Sequence, residues 1–247
     1  SDAVARDARP MFGAVPITVI HNAIDVNRFS PGPGDGERLD RLAGLTPVGN
    51  VVRIGLVATF ARWKGQDVFL DALARLPHGA KWRGFIIGGP IYRTAGSQYT
   101  ANELRSRIAT MKLEGRVGLV PFQDDTPAVY RSLDVVVHAS TRPEPFGLTI
   151  VEAMSCGRAA IVSAAGGAVE LFSPGHDALG VAPGDVSALA SAMSHLLNDP
   201  STRERLGVAA RETAVTRFGR DRLAAQLMAT YRQALRSTET DGEFAAS

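Results

Sequence analysis

The spacing of apolar and polar positions changes character at about residue 51. From there, short apolar runs alternate with stretches of helical period. Residues 51–57, 82–88, 117–120, 134–138, 159–163 and 178–181 are near-continuous apolar or β-branched runs, the pattern of strands buried on both faces. Between them, residues 65–76 place Val68, Phe69, Ala72, Leu73 and Leu76 on one helical face. Residues 98–113 predict a long basic amphipathic helix, 126–133 a short one, 147–156 a helix after the fourth strand and 168–172 a helical turn. Residues 186–197, 200–213 and 220–235 predict three closing helices. Strands alternating with helices imply a parallel sheet covered on both faces. The expected fold is α/β, a Rossmann-like doubly wound parallel sheet of about six strands. A ligand would bind beyond the carboxyl ends of the strands, at a topological switch point.

Ahead of this regular part the pattern is weaker. Residues 1–15 read as the end of a helix broken at Pro10 and Gly13, and residues 16–20 as a short strand. Residues 21–25 turn the chain. Residues 30–50 are rich in Pro and Gly with a helical patch over 37–42, the composition of a linker or surface loop. The segment 237–247 is polar and reads as a flexible tail.

The strand-to-helix loops are where chemistry is expected. After the run Asp134 to Ala139 comes Glu144-Pro145-Phe146-Gly147-Leu148-Thr149-Ile150-Val151-Glu152. A helix beginning near Gly147 leaves the amides of Gly147, Leu148 and Thr149 without intrahelical partners, at the positive end of the helix dipole. That end suits a phosphate, and Gly147 allows close approach. Glu152 shares a face with Leu148 and Thr149, roughly 7–8 Å along the axis from Gly147. One carboxylate could therefore meet hydroxyls on one side of a bound diphosphate, and the other carboxylate hydroxyls on the far side. Acids near a helix start also arise from first-turn stabilisation alone.

Other loops add candidates. Arg62 and Lys64 precede a helix start, where cations oppose the dipole unless an anion offsets them. Gly88-Gly89-Pro90 follows the second strand and reads equally as a tight turn. Phe122 follows the third strand and could stack on a base. Asp124-Asp125 read as a helix N-cap rather than a metal pair. Gly166-Gly167 permit close packing, and Glu170 reads as a cap of the following helix. His138, one loop from Glu144, could line a pocket but reads first as a satisfied interior histidine; His21 reads as structural, and His78, His176 and His195 as surface positions.

Charge and composition narrow the partners. The net charge of +2 gives no bulk attraction for nucleic acid. Cys156 is the single cysteine, which excludes an internal disulfide and fits a reducing, cytoplasmic setting. No apolar run approaches a transmembrane span of ~20 residues. Acidic and basic residues alternate from Asp2 to Arg9, without a signal-peptide pattern.

Taken together, Lys64-Gly65, Glu144 and Glu152 with seven residues between them that include Phe146-Gly147, and Gly166-Gly167 resemble the donor-site signature of the GT4-type retaining glycosyltransferases. That family has the GT-B fold of two Rossmann-like domains. The resemblance runs from about Pro16 to about Leu235. It implies transfer of a sugar from a UDP-, GDP- or ADP-sugar to an acceptor hydroxyl with retention, and no cofactor or metal. It implies catalytic roles for Glu144, Lys64 and Arg62. Donor contacts would come from Glu152, Phe146, Gly147, Leu148, Thr149, Phe122, Gly89, Gly166 and Gly167. At the family's arginine position stands Thr59, preceded by Ala58 instead of Gly, so Arg62 is expected to substitute from three residues on. The resemblance also implies that residues 1–29 are the remnant of an N-terminal domain and inter-domain segment, and that residues 51–236 are the donor-binding domain. The acceptor (glycan, lipid or small molecule) would sit on the missing N-terminal domain, and peripheral membrane contact stays open for the full enzyme. Two other classes remain: a nucleotide-sugar-binding module without catalysis, and a GT-B-like epimerase or dinucleotide-dependent oxidoreductase. Against the oxidoreductase, no Gly-x-Gly-x-x-Gly follows the first strand.

Overall fold

The computed structural model describes residues 1–77, 79–91 and 96–244; His78 lies outside them. Six strands form one sheet: β1 (Val52–Val57), β2 (Trp82–Ile87), β3 (Val117–Val120), β4 (Val135–His138), β5 (Ala159–Ser163) and β6 (Leu179–Val181). Their order is β3-β2-β1-β4-β5-β6, and every neighbouring pair is parallel. The chain winds outward from β1 to β3, returns to pair β4 with the other edge of β1, and winds outward again. This is the doubly wound Rossmann-like sheet expected from the apolar runs.

The helices are α1 (Asp2–Phe12), α2 (Gly36–Leu42), α3 (Gln66–Leu73), α4 (Ala101–Thr110), α5 (Thr126–Arg131), α6 (Leu148–Ser155), α7 (Val186–Asn198), α8 (Pro200–Phe218) and α9 (Arg220–Phe244). Short 3-10 turns occupy Arg62–Lys64 and Gly167–Glu170. Strand alternation sorts the core into two layers. Ile54, Leu56, Val135, Val137 and Ile161 pack with Phe69 and Leu73 of α3, Leu104 of α4, and Met193 and Leu196 of α7. Phe85, Val136, Ala160 and Val162 pack with Tyr130 of α5, Ile150 and Met154 of α6, and Ala210 and Phe218 of α8. Residues 30–50 carry α2 and bury Leu39, Asp40 and Leu45. The Asp40 carboxylate is held at 2.8 Å from the Arg53 guanidinium.

Local capping sets several boundaries. Thr100 and Glu103 form a capping box, so α4 begins at Ala101 and not at Gln98. Gln98 instead bridges Ala61, and the Tyr99 amide donates to the Phe60 carbonyl. Asp125 caps α5 by accepting from the Ala128 amide, which matches the N-cap reading.

Other expectations are corrected. Residues 16–20 form no strand: they have no ladder partner among the described residues, and the nearest pairing is a single bridge of Ile24 with Gly219. Pro10 does not break α1, which runs on to Phe12. Arg6, whose carbonyl the proline leaves unpaired, is solvent-exposed on a helix with no buried residue, so water can satisfy it. Helix α8 continues past Thr213 to Phe218, burying Ala214 and Phe218, and α9 continues past Leu235 to Phe244. Among the described residues, no helix is long and apolar enough to cross a membrane.

The loop after β1 is fixed by one close approach. Gly65 has φ +74, and a Cβ there would lie 2.0 Å from the Ala139 carbonyl oxygen. The Thr141 amide ties to the Trp63 carbonyl at 2.7 Å. Gly65→Ala should therefore destabilise the chain by at least about 2 kcal/mol through combined backbone strain and overlap. Urea unfolding checks this; a loss within about 0.5 kcal/mol would show that the loop relaxes freely.

Candidate active site

Strands β1 and β4 are neighbours, yet their following helices lie on opposite faces of the sheet: α3 in one layer, α6 in the other. Their carboxyl ends border a cavity of about 350 Å³ lined by Thr59, Lys64, His138, Ser140, Glu144 and the Pro145 to Thr149 stretch, among others. Lys64 and Gly147 thus share one cleft.

The helix start is built as the spacing suggests. Gly147 is the N-cap of α6 with φ 106, and no side chain caps it. Among the described residues, the amides of Gly147, Leu148 and Thr149 have no hydrogen-bond partner, while Ile150 is the first to bond back to the Gly147 carbonyl. Leu148 is exposed and Thr149 half-buried. Phe146 lines the cleft from a buried position, its ring set edge-on to Phe218 at 5.9 Å and tilted against His21 at the same distance. Its ring anchors the loop.

Glu144 is 7% exposed. Three donors converge on its Oε2: Lys64 Nζ at 2.6 Å, His138 Nε2 at 3.1 Å and Ser140 Oγ at 3.1 Å. Burial alone would raise its pKa; the hydrogen bonds from His138 and Lys64 and the lysine charge outweigh it and bring the value down to about 2. His138 therefore belongs to the site and is not merely an interior residue. Strand parity carried the signal: His138 falls on the Val136 face, the one that packs on α6.

The Glu144 backbone is clamped by the glycine pair. Gly166 bridges Glu144, and the Gly167 amide donates to the Glu144 carbonyl at 2.6 Å. A Cβ on Gly166 would lie 2.6 Å from the Glu144 oxygen, and one on Gly167 2.2 Å from the Pro145 oxygen. Close packing is thus the role the structure gives them.

Glu152 stands further along α6, half-buried and outside the cavity lining. The fully buried Tyr130 hydroxyl donates to its Oε2 at 2.8 Å. Burial raises the Glu152 pKa, and the Tyr130 hydrogen bond partly opposes this. Gly89 and Phe122 lie at the ends of β2 and β3, one and two strands out from β1. A Cβ on Gly89 would meet the Phe122 ring at 3.0 Å, so the ring covers the glycine and stands 56% exposed.

Arg62 goes elsewhere. Its guanidinium bonds Glu103 at 2.7 Å and the Gly96 carbonyl at 2.9 Å, and lies over the Tyr99 ring at 4.2 Å. It does not line the cavity; Thr59 does. Glu170 does not cap the turn that contains it. Its two oxygens accept the Asp2 and Ala3 amides, capping α1, and Oε2 meets His21 at 2.8 Å. Asp2, His21 and Glu170 bring ligand atoms within 4.8 Å of one another, but those helix contacts already occupy the Glu170 oxygens. His176 and His195 are exposed. A second cleft of about 460 Å³ opens at the amino ends of β4 and β5. Its Arg158 and Arg203 cap carbonyls of Cys156 and Leu196, a structural use.

An open parallel sheet of this order, with a lysine facing an uncapped helix start at the switch point, defines a Rossmann-like domain with an anion-suited cleft. The family model described as glycosyl transferases group 1 matches residues 47–213, and the chain belongs to that family. It is 35% identical to the lipopolysaccharide core biosynthesis mannosyltransferase LpsB of Rhizobium meliloti (strain 1021), over 79% of this chain and 54% of that protein. It is 33% identical to the D-inositol 3-phosphate glycosyltransferase of Corynebacterium glutamicum (strain R), over 92% of this chain and 54% of the relative. The chain therefore spans about half the length of these curated relatives. The solved structure of Anabaena Alr3699/HepE in complex with UDP and glucose matches with a TM-score of 0.77 and 31% identity, covering 87% of this chain and 56% of that one. The C-terminal domain of the group 1 family protein LpcC from Francisella tularensis shares the fold, with a TM-score of 0.67 and 23% identity, over 79% of this chain and 98% of that one.

The Glu144 network gives stability a pH signature. Its pKa is below the ordinary 4.5, so its contribution is complete above pH 4.5 and fades as pH falls toward about 2, a loss on the order of 3 kcal/mol. Urea unfolding at pH 6 and pH 3 should show a smaller loss in Glu144→Gln than in the wild type. Equal losses in the two chains would remove Glu144 from that account.

Proposed function

We propose that this chain is the donor-binding half of a glycosyltransferase that moves a sugar from a nucleoside-diphosphate sugar to an acceptor hydroxyl with retention at the anomeric carbon. The observation that carries the reading is the shared cleft: the Lys64 ammonium and the free amides of Gly147 to Thr149 line one cavity. Departure of a diphosphate concentrates negative charge on its oxygens. Fixed donors aimed at that charge stabilise it without reorganisation. Lys64 and the α6 amides supply the positive charge that a divalent ion supplies in much phosphoryl chemistry, so the reaction proposed here needs no metal or cofactor. Arg62 would join only by leaving Glu103.

In this reading Glu144 receives sugar hydroxyls through Oε1, the oxygen with no protein partner among the described residues. Glu152, held by Tyr130, receives the ribose hydroxyls, and Phe122 offers its open ring to the base. The UDP and glucose bound by Alr3699/HepE support a donor of this chemistry. The acceptor would be held by a further domain, in keeping with the half-length match to the relatives. The chain alone should bind donor and transfer weakly or not at all.

A thermal-shift panel of UDP-, GDP- and ADP-sugars tests this. One of them, at about a hundred times its Kd, should stabilise the chain by about 2.7 kcal/mol, a rise of roughly 5–10 °C in Tm for this size. Lys64→Ala and Glu152→Ala should each remove most of the shift. An undiminished shift in both variants would place the donor elsewhere.

A further inference from the structure

Glu144 has two oxygens in different situations. Oε2 takes three donors, and Oε1 takes none among the described residues. The three donors differ in how firmly they are held. Lys64 reaches in on a long flexible stem, and a diphosphate lying on the α6 amides would compete for its ammonium. Ser140 has a single hydroxyl hydrogen, and its Oγ lies 3.0 Å from His138 Nε2 as well as 3.1 Å from Oε2. His138 is part of β4, is 8% exposed, and is fixed by strand pairing with Val162 of β5.

The hydrogen-bond pattern also selects the histidine tautomer. A carboxylate can only accept, so Nε2 carries the hydrogen. Among the described residues, Nδ1 is buried without a partner. A hydrogen there would be an unsatisfied buried donor, which is costly. His138 therefore aims its Nε2–H at Oε2.

We propose that His138 is the positioning residue for the donor sugar. Its Nε2–H keeps Oε2 in place when Lys64 turns to the diphosphate, so that Oε1 stays presented to the sugar hydroxyls. The proposal rests on the donor reading above and goes beyond it by assigning sugar orientation to a strand residue that acts through its hold on Glu144.

Side-chain length provides the test. A glutamine places its amide N–H at about the reach of Nε2, and an asparagine at about that of Nδ1. His138→Gln, His138→Asn and His138→Leu are titrated calorimetrically, each with UDP and UDP-glucose, GDP and GDP-mannose, and ADP and ADP-glucose. For the pair that binds the wild type, the Gln variant should bind both ligands within about two-fold of wild type. The Asn and Leu variants should bind the sugar nucleotide about ten-fold more weakly and the bare nucleotide less than about two-fold more weakly, the scale of one charge-assisted hydrogen bond. The Gln and Asn variants share their chemistry and differ by one methylene, so a general loss of stability does not separate them. Unchanged sugar-nucleotide binding in the Asn and Leu variants, or parallel weakening of both ligands, overturns the positioning role. So does selective loss of the sugar nucleotide in the Gln variant. Failure of the wild-type chain to bind any of the pairs overturns the donor reading itself.

Discussion

Adjacent parallel strands whose connections leave toward opposite faces cannot be bridged by their own loops, and β1 and β4 are such a pair. The gap between them is a consequence of sheet order before any side chain is considered. The chain places its chemistry on the two lips of that gap. Lys64 comes from the lip that leads to α3; Glu144 and the Gly147 turn come from the lip that leads to α6. Each lip alone is unremarkable: a basic turn on one side, an acidic residue and a glycine on the other. Their pairing at 2.6 Å depends on β1 and β4 being hydrogen-bonded neighbours.

Backbone contacts finish what the sheet begins. Gly65 lets one lip rest on the Ala139 carbonyl, and Gly166 with Gly167 lets the β5–β6 connection grip the backbone of Glu144 and Pro145. A carboxylate on a free loop would swing. Here its main chain is bonded on both sides and its side chain is drawn down by His138, Ser140 and Lys64. The electrostatics follow from the same crowding. Burial would otherwise favour the neutral acid, and the His138 and Lys64 donors reverse that preference.

Local pattern made the strands, their parallel pairing and the glutamate-bearing turn legible, because each rests on neighbours in sequence. Apolar runs bounded by glycines read as strands, and Glu144-Pro145-Phe146-Gly147 read as a helix entrance. What escaped depends on partners far along the chain. Arg62 is drawn off by Glu103, 41 positions away, and Glu170 caps a helix that begins 168 positions earlier. Nothing near either residue announces those partners. Residues 16–20 have the composition of a strand but pair with no strand of the sheet among the described residues, so composition alone misleads there. His138 lay between the two cases. Alternation along Val135 to His138 places it beside α6, and that parity was the available sign of its bond to Glu144.

The Phe122 ring has a thermodynamic corollary. It stands open at the rim, resting on Gly89, and so organises water around an apolar face in the free chain. A base laid across it in the proposed complex would release that hydration shell. Association should then carry a negative heat-capacity change, with its enthalpy growing more favourable on warming. A strictly ionic grip on phosphate would lack that temperature dependence.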